Sequence, residues 1–263
     1  MTAGVVPVTM YGIRIDPLTL EEVVARARQA MSTHGRLLIA VVNAAKVVHL
    51  RDDELLRDSL AQADVTVADG QSVVWASRVL GHRLPERVAG IDVFERLLEV
   101  AAEEGRSVFL LGARTEVLQT LVSRLADRRP TLRVAGYRDG YFTAAEADDV
   151  AAQVRASGAD MLFLGITSPK KETFLARYAD TLGVPVLHGV GGSFDVLAGV
   201  TRRAPDRWQR WGFEWAFRLL QEPRRLWRRY LVTNTRFVAL TVRERLRRGP
   251  GTGRDTDEER GAA

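Results

Sequence analysis

Between residues 202 and 248 the chain carries 14 arginines against four acids. In EWAFRLLQEPRRLWRRYLV (214–232), Arg218, Arg224, Arg225, Arg228 and Arg229 alternate with Trp, Phe, Tyr and Leu. Guanidinium forks hold phosphate and diphosphate in bidentate fashion. Arginine mixed with aromatic rings also suits nucleic-acid strands, or an anionic bilayer surface into which the rings insert. A self-neutralised helix would need more acids than are present. Composition alone leaves the other three readings open. A second set of chemistry-bearing residues recurs along the first 200 positions: Asn43, Asp69–Gly70, Gly112–Ala113, Tyr137–Tyr141, Thr167–Ser168–Pro169 and Gly191–Gly192–Ser193, each directly after an apolar run. Polar, small and glycine residues of this kind line ligand crevices, although turn chemistry alone also favours glycine there.

The apolar runs are the elements that must position these groups. RLLIAVV (36–42), DVTVA (64–68), SVFLLG (107–112), LRVAGY (132–137), DMLFLGI (160–166) and VPVLHGV (184–190) read as strands, most of them apolar enough to be buried on both faces. Between them the periodicity predicts helices. One opens with the capping box TLEE (19–22) and runs to about His34; another spans Ala44 to about Ala61 with a break near Arg51–Asp53. Others cover 71–80, 91–104, a stretch from Thr115, 144–157 and 170–182. The alternation implies a Rossmann-like α/β fold, a mostly parallel sheet with helices on both faces, with ligands at the carboxyl ends of the strands. Strand signals stop at Thr201. The expected organisation is an α/β core (1–200), a basic helical appendage (201–248) and a solvated, disordered tail (249–263).

Several chemistries are disfavoured. GVGGSF (189–194) lacks the last glycine of a dinucleotide fingerprint, and no phosphate-binding lysine loop occurs. His188, Ser193 and Asp195 lack a nucleophile elbow, so His188 is expected in the core or in a turn. The only D-x-D, Asp255–Asp257, lies in the tail, and four scattered histidines form no metal-ligand spacing. The absence of cysteine excludes disulfides. No signal peptide is read at the N-terminus, and the most apolar window, LLIAVVNAAKVVHL, is too short to span a bilayer.

Taken in order, VNAAKVVHLRDD, VADGQSVVWASRVLG, LPERVAGIDVFERLL, FLLGAR, GYRDGYF, SPKKETF, GVGGSFDVLAGVTRRAP and EWAFRLLQEPRRLWRRY resemble the WecG/TagA/CpsF family of bacterial glycosyltransferases, from about residue 8 to 235. The resemblance implies an inverting, metal-independent transfer with no cofactor. The sugar moves from a UDP-sugar to a polyprenyl-diphosphate-linked saccharide at the cytoplasmic face of the membrane. It implies an anionic membrane surface as a partner, no nucleic acid, and leaves a homo-oligomer open. Asp69, from the family's A-D-G motif, becomes the base for the acceptor hydroxyl; the same Asp in A-D-G-Q-S could instead cap the next helix. Asn43 and Arg87 are assigned to orienting substrate, with Arg87 pairing to Glu86 or Asp92 as the scaffolding alternative. Gly112, Gly191 and Gly192 are candidates for close backbone approach to the leaving UDP, Tyr141 is a further substrate-binding candidate, and Glu172 and Asp195 are candidates for hydroxyl or base contacts. Arg218, Arg225 and Arg228 are expected on the diphosphate, with Trp227, Tyr230 and Leu231 towards the bilayer.

Two departures from the family's pattern stand out. Lys171 replaces a usual Gln in P-K-Q-E, and Val41 replaces a frequent Thr. Lys171 would favour an acidic sugar or add charge near the diphosphate. The rival class is a non-catalytic nucleotide- or nucleic-acid-binding α/β module whose basic helix grips phosphate.

Overall fold

The computed structural model describes residues 6–221 and 223–248, the side chains of Asp206, Arg210, Arg218, Arg225, Leu226, Arg229 and Arg248 excepted. The 249–263 stretch, expected to be a disordered tail, lies outside the described residues. In chain order the elements are β1 (Val8–Met10), β2 (Ile13–Ile15), α1 (Leu20–Thr33), β3 (Leu37–Val42), α2 (Ala44–His49), α3 (Glu54–Ala61), β4 (Val65–Ala68), α4 (Gln71–Val79), α5 (Gly90–Glu104) and β5 (Ser107–Gly112). They continue with α6 (Thr115–Arg128), β6 (Arg133–Arg138), α7 (Ala147–Ala156), β7 (Met161–Gly165), α8 (Lys170–Tyr178), β8 (Val186–Gly189), α9 (Ser193–Leu197), α10 (Asp206–Arg210), α11 (Glu214–Gln221) and α12 (Pro223–Arg248).

Strands β3 to β8 form one sheet in the order β4-β3-β8-β7-β5-β6, every pairing parallel. All six strands read from the sequence are there. Their side chains alternate between two apolar layers, as the period of a strand requires. Ile39, Val67, Leu110 and Phe163 face α1, α5, α6 and α9. Leu38, Leu111, Leu162 and Leu187 face α7 and α8. Burying each such side chain contributes about 1.5–3 kcal/mol, and this double cover keeps the strand ends in fixed register. The helix starts are set locally. Thr19 and Glu22 close the reciprocal capping box of α1. Asn43 caps α2 and Asp53 caps α3, which splits the helical stretch where the Arg51–Asp53 break was expected.

A third apolar cluster lies beyond β4. It gathers Met10, Ile13 and Ile15 from a β1–β2 hairpin with residues of α2, α3 and α4, and with Phe237 of α12. Nothing in the sequence reading placed an element before Thr19. The strands are only three residues long, and their turn is Tyr11–Gly12, both at positive φ. That two-residue turn matches the twist of a hairpin, but a tyrosine is an unusual residue to occupy it. The hairpin is tied to α12: the Tyr11 amide donates to the Glu244 carboxylate, and the Tyr11 hydroxyl bonds Thr241 at 2.8 Å. Thus the second half of the basic appendage is seated on the core.

Candidate active site

The sheet order brings the sequence candidates to one edge. Asn43 follows β3, Asp69 follows β4, Gly191 and Gly192 follow β8, Lys171 and Glu172 open α8 after β7, and Gly112 ends β5. Asp69 and Asn43 stand side by side because β3 and β4 are adjacent. The Asp69 amide donates to the Val42 carbonyl, which carries the ladder one residue past the strand. Asp69 Oδ1 accepts from the Gly90 N–H at 3.0 Å, at the first turn of α5, where unpaired amides favour an anion. Asp69 Oδ2 accepts a long contact, 3.4 Å, from Asn43 Nδ2. Asn43 is oriented by its other end, whose Oδ1 accepts from the Lys46 amide at 3.1 Å. Asp69 does not cap the helix that follows it: Gly70 is the N-cap of α4, without a side-chain bond. One carboxylate oxygen is therefore fixed, while the other is held, among the described residues, only by the long Asn43 contact.

Behind this pair lies a compact charged group. Lys46 folds back from α2 and donates to the Val41 carbonyl at 2.7 Å. Burial first, then the neighbouring Lys171 charge, pull the Lys46 ammonium down to about 8, against the opposing influence of Glu172 and Asp69. Lys171 Nζ pairs with Glu172 Oε1 at 3.0 Å, and Ser168 Oγ donates to the same oxygen at 2.9 Å. Burial pushes the Glu172 carboxyl up, but the Lys171 charge and the hydrogen bonds from Lys171 and Ser168 outweigh it and hold it below the usual range. Lys171 reaches Glu172 by lying across Gly189; a Cβ there would stand 2.8 Å from the Lys171 Cδ. Its charge is spent inside the protein, on a carboxylate only 2% exposed.

The appendage borders the Asp69 end of the edge. Arg87 Nη1 contacts Glu214, the first residue of α11, and Nη2 contacts Asp92 of α5, both at 3.3 Å. Of the two scaffolding partners weighed for Arg87, Asp92 is engaged, whereas Glu86 accepts from the Leu20 amide. Before α11 the chain packs on α4, and a Cβ on Gly212 would stand 2.8 Å from Gln71 and 3.1 Å from Trp75. Trp215 of α11 and Tyr230 of α12 bring their ring centroids to 5.7 Å.

A family model described as "Glycosyl transferase WecG/TagA/CpsF family" matches residues 8–251, the appendage included. The chain belongs to this glycosyltransferase family. An N-acetylglucosaminyldiphosphoundecaprenol N-acetyl-beta-D-mannosaminyltransferase of Bacillus subtilis (strain 168) is 36% identical over 194 residues, covering 74% of this chain and 75% of the relative. A solved mutant of arylmalonate decarboxylase in its sulfate-associated form covers 71% of this chain and 77% of its own at 18% identity, with a TM-score of 0.20. That likeness carries no argument. Membership in a transferase family displaces the rival reading of a non-catalytic binding module.

In this glycosyltransferase the other expected residues fall in three places: the β6 side of the edge, the turn after β8, and the appendage. Gly112 and Tyr141 lie towards the far, β6 side of the edge. Gly112, at φ +141°, makes its close approach to a neighbouring strand: a Cβ would stand 2.3 Å from the Gly165 carbonyl carbon. Tyr141 is exposed, its loop held by Lys170, whose ammonium donates to the Gly140 carbonyl at 2.7 Å and to that of Phe142. Arg114, missed by the sequence reading, is raised above its ordinary value by the neighbouring Tyr141 side chain first and more weakly by the Glu116 and Asp195 charges. Gly191 and Gly192 leave open space where a side chain would sit. The side chains of Arg218 and Arg225 lie outside the described residues. Arg228 is exposed, its guanidinium 5.6 Å from the Trp227 ring centroid. Trp227 and Leu231 are exposed, and Tyr230 is partly covered by Trp215.

His188 is fully buried, as expected of a core histidine, with Nε2 2.9 Å from the Gly90 carbonyl and Nδ1 3.3 Å from that of Ile39. Ser193 Oγ donates to the Val190 carbonyl, so no triad forms. Gly90 and Lys46, both beside Asp69, were missed by sequence reasoning, as was Glu214, which reaches the site through Arg87. Lys46 stands three positions after Asn43, on the same first helical turn; that spacing was its only signal.

Proposed function

We propose that the protein transfers a sugar from a UDP-sugar to a polyprenyl-diphosphate-linked saccharide, with inversion, without a metal or cofactor, at the cytoplasmic surface of the membrane. The observation that carries this reading is the Asp69 carboxylate at the carboxyl edge of the sheet, one oxygen anchored on Gly90 and the other weakly held by Asn43. The name of the Bacillus subtilis relative supports the acceptor class, a saccharide on undecaprenyl diphosphate.

In the proposed step Asp69 takes the proton of the acceptor hydroxyl as that oxygen attacks the anomeric carbon from the face opposite UDP. The new C–O bond forms as the bond to the diphosphate breaks. The electron pair leaves with UDP and the proton stays on Asp69. A single displacement of this kind inverts the anomeric centre. The diphosphate gains negative charge, which fixed cations and backbone amides lower in energy. Arg218, Arg225 and Arg228 are proposed for that task, on helices α11 and α12 that border the site through the Arg87–Glu214 and Gly212–Gln71 contacts. Among the described residues no helix is long and apolar enough to cross a membrane, so the proposed membrane contact is made by the exposed Trp227 and Leu231 with the surrounding arginines.

The test is a panel of UDP-sugars with a synthetic lipid-diphosphate acceptor in the presence of EDTA, the product's anomeric configuration being read by NMR. UDP release with an inverted linkage in EDTA is expected. Retention, or activity abolished by EDTA and restored by a divalent ion, contradicts the mechanism. Salt-sensitive nucleic-acid binding with no UDP release from any donor contradicts the reading as a whole.

A further inference from the structure

We infer that Lys46 is a positioning residue for the transfer, whose ammonium braces the end of β3 against the first turn of α2 and so holds Asn43 and Asp69 in their working geometry. The inference rests on Asp69 being the base. Three contacts carry it. Lys46 Nζ binds the Val41 carbonyl at 2.7 Å, two residues before Asn43, while the Lys46 amide holds the Asn43 side-chain oxygen at 3.1 Å. One residue thus clamps both sides of Asn43 and leaves the Asn43 Nδ2 to face Asp69. The same ammonium offsets charge on the crevice floor, where two carboxylates, Asp69 and Glu172, stand with two ammonium groups, Lys46 and Lys171. Loss of one positive charge there leaves the floor net negative as the leaving diphosphate gains charge during the transfer.

Deprotonation of Lys46 removes the charge and weakens the brace to a neutral amine's hydrogen bond, and its lowered value, about 8, places that change within reach of an assay. The groups facing Lys46 are Asp69 after β4, Lys171 and Glu172 of α8, and His188 of β8, which its charge also reaches. Helix α3 presents Leu56, Ser59 and Leu60, none of them titratable in this range. On α2 itself His49 is exposed, and on the packed α12 the Glu244 carboxylate holds the Tyr11 amide.

The experiment compares pH–rate profiles of wild type, Lys46→Met, Lys46→Arg and Asp69→Asn on one donor and one lipid-diphosphate acceptor. Wild-type kcat is expected to fall above about pH 8. Lys46→Met should lose about tenfold or more in kcat, with both KM values within about threefold, because the loss is one of geometry at the reacting group. Lys46→Arg, charged at every pH tested, should recover part of kcat and carry the alkaline fall at least about one pH unit higher. A folded Lys46→Met with the wild-type profile overturns the inference, as does an alkaline fall unmoved in Lys46→Arg if the methionine variant does not fold. An inactive Asp69→Asn beside an unaffected Lys46→Met defeats this inference alone. A fully active Asp69→Asn defeats the base assignment and this inference with it.

Discussion

At the scale of single residues, Lys171 and Gly112 show how a position can matter through contacts inside the protein. Lys171 is the counter-charge of a carboxylate buried to 2% exposure. Because the folded value of Glu172 is depressed, the pair adds stability above the ordinary glutamate range and loses it as pH falls through the folded value. Lys171→Gln removes the direct counter-charge of the buried Glu172 and leaves it the Ser168 hydrogen bond, at a cost of about 3 kcal/mol at pH 7. At pH 4 the penalty should shrink, since the carboxyl can take a proton. Urea unfolding at the two pH values checks this, and an equal penalty at both contradicts it. The internal pairing also weakens the expectation that Lys171 selects an acidic sugar. Gly112→Ala should destabilise by about 3 kcal/mol or more, because the residue is held at positive φ against the Gly165 backbone. Gly192→Ala, at φ −77° with open space around it, should change stability by less than about 0.5 kcal/mol. Two glycines that look alike in sequence are separated by what surrounds them.

At the scale of elements, β3 to β8 were legible because each is short, bounded by turn residues and, except for the edge strand β6, apolar on both faces. The helix break at Arg51–Asp53 was legible from caps. The β1–β2 hairpin was not, since three-residue strands give no periodicity and Tyr11 in the turn gives no glycine-pair signal. The docking of α12 was hidden for a related reason. Its charge dominates the composition, while its buried face is carried by Phe237 with Thr233 and Thr241. Thr19, Asn43 and Asp53 announce helix starts because capping is local, whereas Lys46 and Glu214 enter the site through contacts distant in sequence or folded back on a strand. Phe237, 5% exposed and 5.7 Å from the Tyr11 ring, is the anchor. Phe237→Ala should cost about 3 kcal/mol and raise hydrogen exchange in α12 and the hairpin together. Faster exchange in α12 alone contradicts a shared anchor.

At the scale of the molecule, the charge is divided: residues 1–201 hold 22 Lys+Arg and 25 acids, while 202–248 hold 14 Arg and four acids. A neutral to slightly acidic core carries a strongly basic helical border along the proposed site, an arrangement suited to an anionic surface and a diphosphate substrate. Sedimentation with vesicles containing anionic lipid should exceed that with neutral vesicles and fall as salt rises; indifference to lipid charge contradicts the proposed membrane contact. The account as a whole depends on Asp69, because sheet order, the α5 N-terminus and Asn43 all converge on its carboxylate. The most direct measurement is turnover of Asp69→Asn on a UDP-sugar and a lipid-diphosphate acceptor, with UDP affinity measured by calorimetry. The account predicts kcat lower by about 10²–10⁴-fold with UDP affinity kept within about threefold; wild-type turnover in that variant would contradict it.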